Sequence, residues 1–356
     1  MATGLSLLVL ATGSPHPHAG PGPFDIVCGQ PLVRHILDAA ADLPVDRTVV
    51  VIDRGADDRA KRLHELSPDR VVECVEQRTA RGTGDAISLG LTALADDFSD
   101  LDDQASVLVV PGGLALMQPH TLLSLVEAHR ANGAAATLLT VEADEGLGNV
   151  VRGRDDRIVA VYDDVPGRDT ATGVGLYRRS LLGAALRRVV PRYSFGESRF
   201  DDVIEVLAEA GHRVASHTLD DPVEMLATDD NAGLAAVESE LRRRVNHRWM
   251  ANGVTMVDPT HTYIDTTVVL GRGTHLLPGC TLAGNCVVGE GVRLGPDVHL
   301  ADCAVGHGAR VRSSTGTDAE IGPRADVGPY AVLPPGAQIA ADQVTGPFYA
   351  AESSAD

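Results

Sequence analysis

Residues 264–300 read IDTTVVLGRGTHLLPGCTLAGNCVVGEGVRLGPDVHL, and an aliphatic residue returns at every sixth position: Ile264, Leu270, Leu276, Leu282, Val288, Leu294 and Leu300. Val305 and Val311 follow after a shorter step, and Ile321, Val327, Leu333 and Ile339 form a second run. Gly often stands directly after the aliphatic residue (271, 289, 295, 306, 322, 328). Small or β-branched residues stand two positions before it (Val268, Thr274, Cys280, Cys286, Val292, Val298). A six-residue period with these preferences is the hexapeptide signature of a left-handed parallel β-helix. Three hexapeptides close one triangular coil, the aliphatic residue fills its interior, and Gly permits the tight corner. Cys280 and Cys286 fall on inward, stacked positions and read as core thiols. So short a prism buries little apolar surface alone, and the expectation is that it packs side by side as a homotrimer.

Upstream of the repeat, DDNAGLAAVESELRRRVNHRWM predicts a long helix over roughly 229–250. Before it the pattern is βαβα. Strand-like runs at 5–11, 47–53, 69–75, 106–111 and 135–142 alternate with amphipathic stretches near 30–42, 57–66, 84–96 and 118–132. Short apolar strands joined by helical crossovers predict a mostly parallel, doubly wound, Rossmann-like α/β sheet. An α+β portion over about 148–227 completes it. The expected division is an α/β domain at 1–228, a linker helix at 229–252, a β-helix at 253–345 and a tail at 346–356.

The formal charge of −19 opposes polyanionic partners, so neither nucleic acid nor an acidic membrane is expected. Aromatic residues at 3% leave little for base stacking. MATGLSLLVLATGSP has no basic n-region and reads as a buried first strand. No window approaches a membrane span, and a cytoplasmic location is expected. Cys28, Cys74, Cys280, Cys286 and Cys303 show no metal spacing and read as reduced, buried side chains. Of 30 basic residues only Lys61 is a lysine, which limits the chemistry available.

Ligands of doubly wound sheets bind at the carboxyl ends of the strands. The first such end is Leu10-Ala11-Thr12-Gly13, where Gly lets a phosphate approach the backbone. The third runs into Gln77-Arg78-Thr79-Ala80-Arg81-Gly82-Thr83-Gly84, which opens a helix. The Gln77 amide and the backbone at Gly82 and Thr83 are candidates for hydrogen bonding a nucleobase edge. A plain turn and N-cap is the competing explanation of Gly-Thr-Gly.

The stretches LVLATG (8–13), GQPLVRHILDAA (29–40), ARGTGDAI (80–87), SFGESRFDDVIEVLAEAGHRVA (194–215) and SELRRRVNHRWMANGVTMVDPTHTYID (239–265), followed by the hexapeptides, carry a resemblance along nearly the whole chain. Together they resemble the bifunctional N-acetylglucosamine-1-phosphate uridyltransferase/glucosamine-1-phosphate acetyltransferase family. The resemblance implies that Ala11, Gly13, Gln77, Gly82 and Thr83 match residues holding uridine, and that Gly146 matches a sugar-side glycine. It implies a Mg²⁺-dependent nucleotidyl transfer yielding UDP-N-acetylglucosamine.

The chain departs from the family's pattern where that chemistry is done. The family's first loop has Gly-x-Gly-Thr-Arg-Met and then Pro-Lys; here it reads Gly13-Ser14-Pro15-His16-Pro17-His18, and Pro23 is followed by Phe24. Gly113 stands where the family places a metal-binding Asp. Asp229 takes the place of the second ligand, an Asn, and is either a remaining Mg²⁺ contact or a helix-capping acid. The sugar-contacting Glu and Asn fall near Tyr162 and Gly173. Arg78 and Arg81 flank the retained loop and are weak phosphate candidates. The repeat stops near Ile339, short of the coils that carry acetyl transfer in the family, and that activity is not expected. No catalytic residue is assigned. Three functions stay open: a catalytically impaired binder of a uridine nucleotide or nucleotide sugar, a divergent active sugar-1-phosphate nucleotidyltransferase, and a structural or regulatory trimeric subunit.

Overall fold

The computed structural model describes residues 4–12, 20–55, 57–66, 71–79, 81–94, 105–142, 148–163, 165, 168–189, 199–226 and 228–351. Gly13 and Gly146, both expected in the site, lie outside them, as do His16 and His18. The chain divides into two compact units: Met1–Asp25 with Pro31–Leu234, and Ile26–Gln30 with Ala235–Asp356. Compared with the expected boundary at 228/229, the division falls a few residues later, inside the long helix, and a short N-terminal segment joins the second unit.

In the first unit β1 (Leu5–Ala11) is buried along its whole length. Its side chains alternate between two cores: Leu7 and Val9 cluster with Ile36, Leu122 and Leu125, while Leu8 and Leu10 cluster with Ala86 and Ile87. A strand covered on both faces reads as a nearly continuous apolar run, broken here only by the buried Ser6. Two short strands, β2 (Ile26–Val27) and β3 (Gln30–Pro31), precede α1 (Leu32–Ala39). The helix starts later than the periodicity suggests because Pro31 holds an extended backbone (φ −60°, ψ 146°) and has no N–H to give.

β4 (Arg47–Asp53), α2 (Asp57–Leu66), β5 (Val72–Gln77), α3 (Thr83–Ala93), β6 (Ser106–Pro111), α4 (Pro119–Asn132) and β7 (Ala136–Glu142) continue the alternation. β8 (Asn149–Arg152), β9 (Ile158–Tyr162), β10 (Asp169–Arg178), α5 (Arg179–Leu186), α6 (Asp202–Glu209) and β11 (Val214–Thr218) follow. The sheet order is β11-β7-β10-β6-β1-β4-β5, with β8 and β9 attached beside β10. β6, β1, β4 and β5 run parallel, and β10 enters antiparallel between β6 and β7. The ends of β1, β4, β5 and β6 therefore share one edge, with Leu10 level with Pro111 and Asp53 level with Gln77.

In the second unit α7 (Asn231–Ala251) leads into a left-handed parallel β-helix of three sheets with six, five and five short strands. Leu270 pairs with Val288, Val288 with Val305, Val305 with Ile321 and Ile321 with Ile339, so the repeating aliphatic residues stack coil on coil. The stacked residues are buried, as are Val268, Thr274, Cys280, Cys286, Val292 and Val298 two positions earlier. The gap in the hexapeptide run between Val311 and Ile321 has a steric cause. Gly316 takes the inward position between Leu300 and Leu333, and a Cβ there would come within 3.0 Å of Leu300 Cδ2 and 3.4 Å of Cys303 Sγ. Ladder bonding runs on into the expected tail, where Val332 N–H donates to Tyr349 O (2.8 Å) and Ala351 N–H to Val332 O (3.2 Å).

Within this unit Cys28 O accepts from Thr266 N–H (3.0 Å), which ties the segment 26–30 to the first coil. Burial pushes the Cys28 thiol up to about 12, so it stays protonated. All five cysteines are free, and only Cys74 is not buried. Among the described residues no helix is long and apolar enough to cross a membrane.

Leu294 is fully buried in the stacked column while its neighbour Arg293 is exposed. Leu294→Ala is expected to cost about 2–5 kcal/mol in urea unfolding and Arg293→Ala less than about 0.5 kcal/mol. Equal effects would contradict the inward assignment of the six-residue register.

Candidate functional site

At the β1 end, Ala11 is buried, and the ends of β1 and β6 are tied by the Gly112 N–H donating to Leu10 O at 2.8 Å. A side chain at Gly112 would meet Leu10 O at 2.9 Å and Pro23 Cβ at 3.2 Å, so this backbone is packed tightly against the stretch that ends in Phe24. Phe24 packs its ring against the core and has the Arg59 guanidinium 5.2 Å above it. An apolar ring thus sits where the family resemblance would place a lysine.

Gly113 and the residue before Asp229 lie close together. A Cβ on Gly113 would lie 3.2 Å from Thr228 Oγ1, and Thr228 immediately precedes Asp229. Gly20 packs against the Asp229 backbone carbonyl. The helix-capping alternative for Asp229 is corrected: Asp230 caps α7, its Oδ1 accepting from Gly233 N–H at 2.7 Å. Asp229 is exposed, and its carboxylate has no partner among the described residues. No three His, Cys, Asp or Glu side chains among the described residues form a metal-holding group. Mg²⁺ would rest on one carboxylate plus whatever phosphate oxygens the ligand brought, and Gly113 supplies nothing. The described residues do not by themselves make a resident metal site.

About 10 Å from the end of β1, two strands along the sheet, the opening of α3 gathers Gln77, Gly82 and Thr83. Gly82 takes φ +88°, a conformation open to glycine, and so turns the chain from the loop into the helix. Gln77 is buried at the end of β5. Its Nε2 donates to Gly82 O (3.2 Å) and to Asp85 Oδ2 (2.9 Å). Two acceptors on one side fix the amide's orientation: both protons are committed, and Oε1 is the atom left to meet a ligand. The sequence left the direction of the Gln77 amide open; this geometry leaves it an acceptor. Thr83 Oγ1 accepts from Phe200 N–H at 3.1 Å, so its hydroxyl fastens α3 to the segment before α6. Arg78 and Arg81 are exposed on either side of the loop, and neither is drawn into an ion pair with a described residue.

At the positions where the resemblance places sugar contacts, Tyr162 donates its hydroxyl to Glu205 Oε1 (2.9 Å), and Gly173, at φ +78°, lies against Pro111. Neither offers a free polar side chain there. Beside Thr83 stands a group that the sequence reading passed over. Arg199 makes a two-pronged contact with Asp163, one arm at 2.8 Å, and also reaches Asp201 at 3.1 Å. The Arg199 hydrogen bond holds the Asp163 carboxyl below its usual range, whereas burial raises that of Asp201 despite the same arginine. Asp163 also accepts from Gly148 N–H at 2.9 Å, which anchors the start of β8. Only an Arg-x-Asp spacing at 199–201 hints at this in the sequence, and its main partner lies 36 residues away.

Residues 8–189 match the MobA-like NTP transferase domain family. The chain is 34% identical over 337 residues to the bifunctional protein GlmU of Exiguobacterium sibiricum, covering 92% of this chain and 73% of that one. It is 34% identical over 352 residues to the Streptomyces avermitilis protein of the same name, covering 96% and 72%. The Mycobacterium tuberculosis counterpart is 33% identical over 339 residues, covering 92% and 68%.

Asp163→Asn is expected to lower stability at pH 7 by about 1–2 kcal/mol, since it weakens a charge-assisted pair that is only partly screened. The native carboxyl is depressed, so its contribution is present above the unfolded value and fades as pH falls through the native one. Denaturation from pH 7 to pH 3 should show the gap between the two proteins narrowing below about pH 4. A constant gap would mean that Asp163 acts through shape alone.

Proposed function

The chain belongs to the family of the bifunctional protein GlmU and carries its nucleotidyltransferase domain, and from that premise we propose that it holds a uridine nucleotide or nucleotide sugar without carrying out nucleotidyl transfer. The observation behind this is the fixed Gln77 amide. With both Nε2 protons given to Gly82 O and Asp85, Oε1 is an acceptor suited to the imide N–H of uracil. Cytosine presents a lone pair at that place, and two acceptors repel. Backbone groups at Gly82 and Thr83, with Ala11 at the other end, complete the cradle in this proposal; Gly13 and Gly146, which the resemblance adds to it, lie outside the described residues.

The phosphate end is what argues against transfer. Moving a nucleotidyl group needs positive charge on a triphosphate of about −4, both to bind it and to stabilise the in-line transition state. Gly113 and Phe24 offer none, and the sequence Ser14-Pro15-His16-Pro17-His18 holds no Arg or Lys. Loss of a single such group costs about 10²–10³ in rate. The competing function, a divergent active transferase, is favoured by the unengaged Asp229 carboxylate, with Arg78 and Arg81 as substitutes for the missing cations. In our proposal Mg²⁺ accompanies a ligand's phosphates and touches Asp229 at most.

Exposed Tyr263, Val269, Val287 and Val332 on the outer faces of the β-helix support side-by-side packing as a homotrimer. Five free thiols fit a reducing cytoplasm.

Calorimetric titration tests the binding role. UMP and UDP-N-acetylglucosamine should bind with affinities independent of Mg²⁺, CMP at least about tenfold more weakly, and Gln77→Leu should remove the preference. In the same titration Gly113→Asp, which restores a second carboxylate, should make UTP binding Mg²⁺-dependent. Equal affinity for UMP and CMP, or no binding of either, would overturn the proposal.

A further inference from the structure

At the opposite edge of the α/β sheet a cavity of about 240 Å³ lies among the start of β1, the start of β6, the end of α4 and the end of β10. β1 alone separates it from the nucleotide edge by roughly 20 Å, so it is not part of that pocket. Its polar lining is Ser106, His129, Arg130 and Arg178.

Charge is concentrated here against the trend of a chain with net charge −19. Arg178 donates to Gly133 O at 2.7 Å and Arg213 to Asn132 O at 3.2 Å, both at the C-terminus of α4. The helix end carries only about half a negative charge, and three arginines exceed it several-fold. Two of them satisfy the end carbonyls. Arg130 is exposed, lines the cavity, and has no partner among the described residues. No Asp or Glu stands among the described residues that line the cavity; Asp46, next to Gly4, accepts from its N–H at 2.8 Å. The buried His129 ring meets Thr137 Oγ1 at 2.8 Å through Nδ1 and Ser106 Oγ at 3.4 Å through Nε2. Burial, then Arg178 and Arg130, push His129 down to about 4, so the ring is neutral at pH 7 and joins the cavity as a hydrogen-bonding group.

We propose that this cavity binds a small oxyanion, held between Arg130 and Arg178. Planar guanidinium groups match phosphate and carboxylate oxygens, and a partly enclosed site strengthens the pairing over that at open surface. The ligand is a phosphate or carboxylate of roughly the size of inorganic phosphate or malonate, since about 240 Å³ leaves no space for a nucleotide.

The test titrates the full chain with inorganic phosphate, and separately with malonate, at constant ionic strength. Heat and the His129 ring resonances are followed together. A saturable response in both readouts from either anion is expected, and the tighter of the two gives the ligand's class. Arg130→Gln should weaken it at least about tenfold, while Arg81→Gln at the nucleotide edge should leave it unchanged. Arg130 holds no structural contact, so its variant folds even where Arg178→Gln fails to. Absence of saturation with both anions, an unmoved His129 signal, or full binding by Arg130→Gln would each overturn the proposal.

Discussion

Parallel strands buried on both faces can carry polar chemistry only at their ends, and that constraint organises the first unit. β1, β4 and β6 are filled with Leu, Val and Ile because helices cover both sides of the sheet. What remains for ligands is the edge where the strands stop. One edge presents Ala11, Gln77, Gly113 and Asp229; the other presents Ser106 and the arginines around the end of α4. In the β-helix the same demand acts radially. Each hexapeptide points one aliphatic residue inward, and Gly316 appears where stacked neighbours leave no room for a side chain.

The edge proposed to hold a nucleotide is uneven in its charge. Its base end is well determined: an oriented amide, a glycine turn at the head of α3, and a hydroxyl that fastens the helix to the Arg199 segment. Its phosphate end is poor in counter-charge. Gly113 faces Thr228, Phe24 lies against the core, and Arg199 is spent on Asp163 and Asp201. A ligand can be recognised by its base in such a place while its phosphates meet little that would stabilise a developing transition state.

The repeat was legible because its period is local: every sixth residue repeats one environment, so seven positions in a row suffice to read it. The strands of the α/β unit were legible for the same reason, as short apolar runs between turn signals. Boundaries moved where a backbone detail intervened, as when Pro31 delayed α1. The site was legible only in part. Gln77 and Gly82 stand in one stretch, but the direction of the Gln77 amide depends on Asp85, and the cap of α7 passes from Asp229 to its neighbour. The pairing of Arg199 with Asp163, and of Arg178 and Arg213 with the end of α4, joins residues distant in the chain. Neither composition nor spacing encodes such contacts.

The central claim is that this pocket recognises without transforming. The most direct measurement is pyrophosphate release by the purified chain supplied with UTP, N-acetylglucosamine 1-phosphate and Mg²⁺. The electrostatics of the phosphate end predict no release above the protein-free rate. Sustained turnover that disappears in Asp229→Asn would contradict the account and show that a single carboxylate and distant arginines suffice.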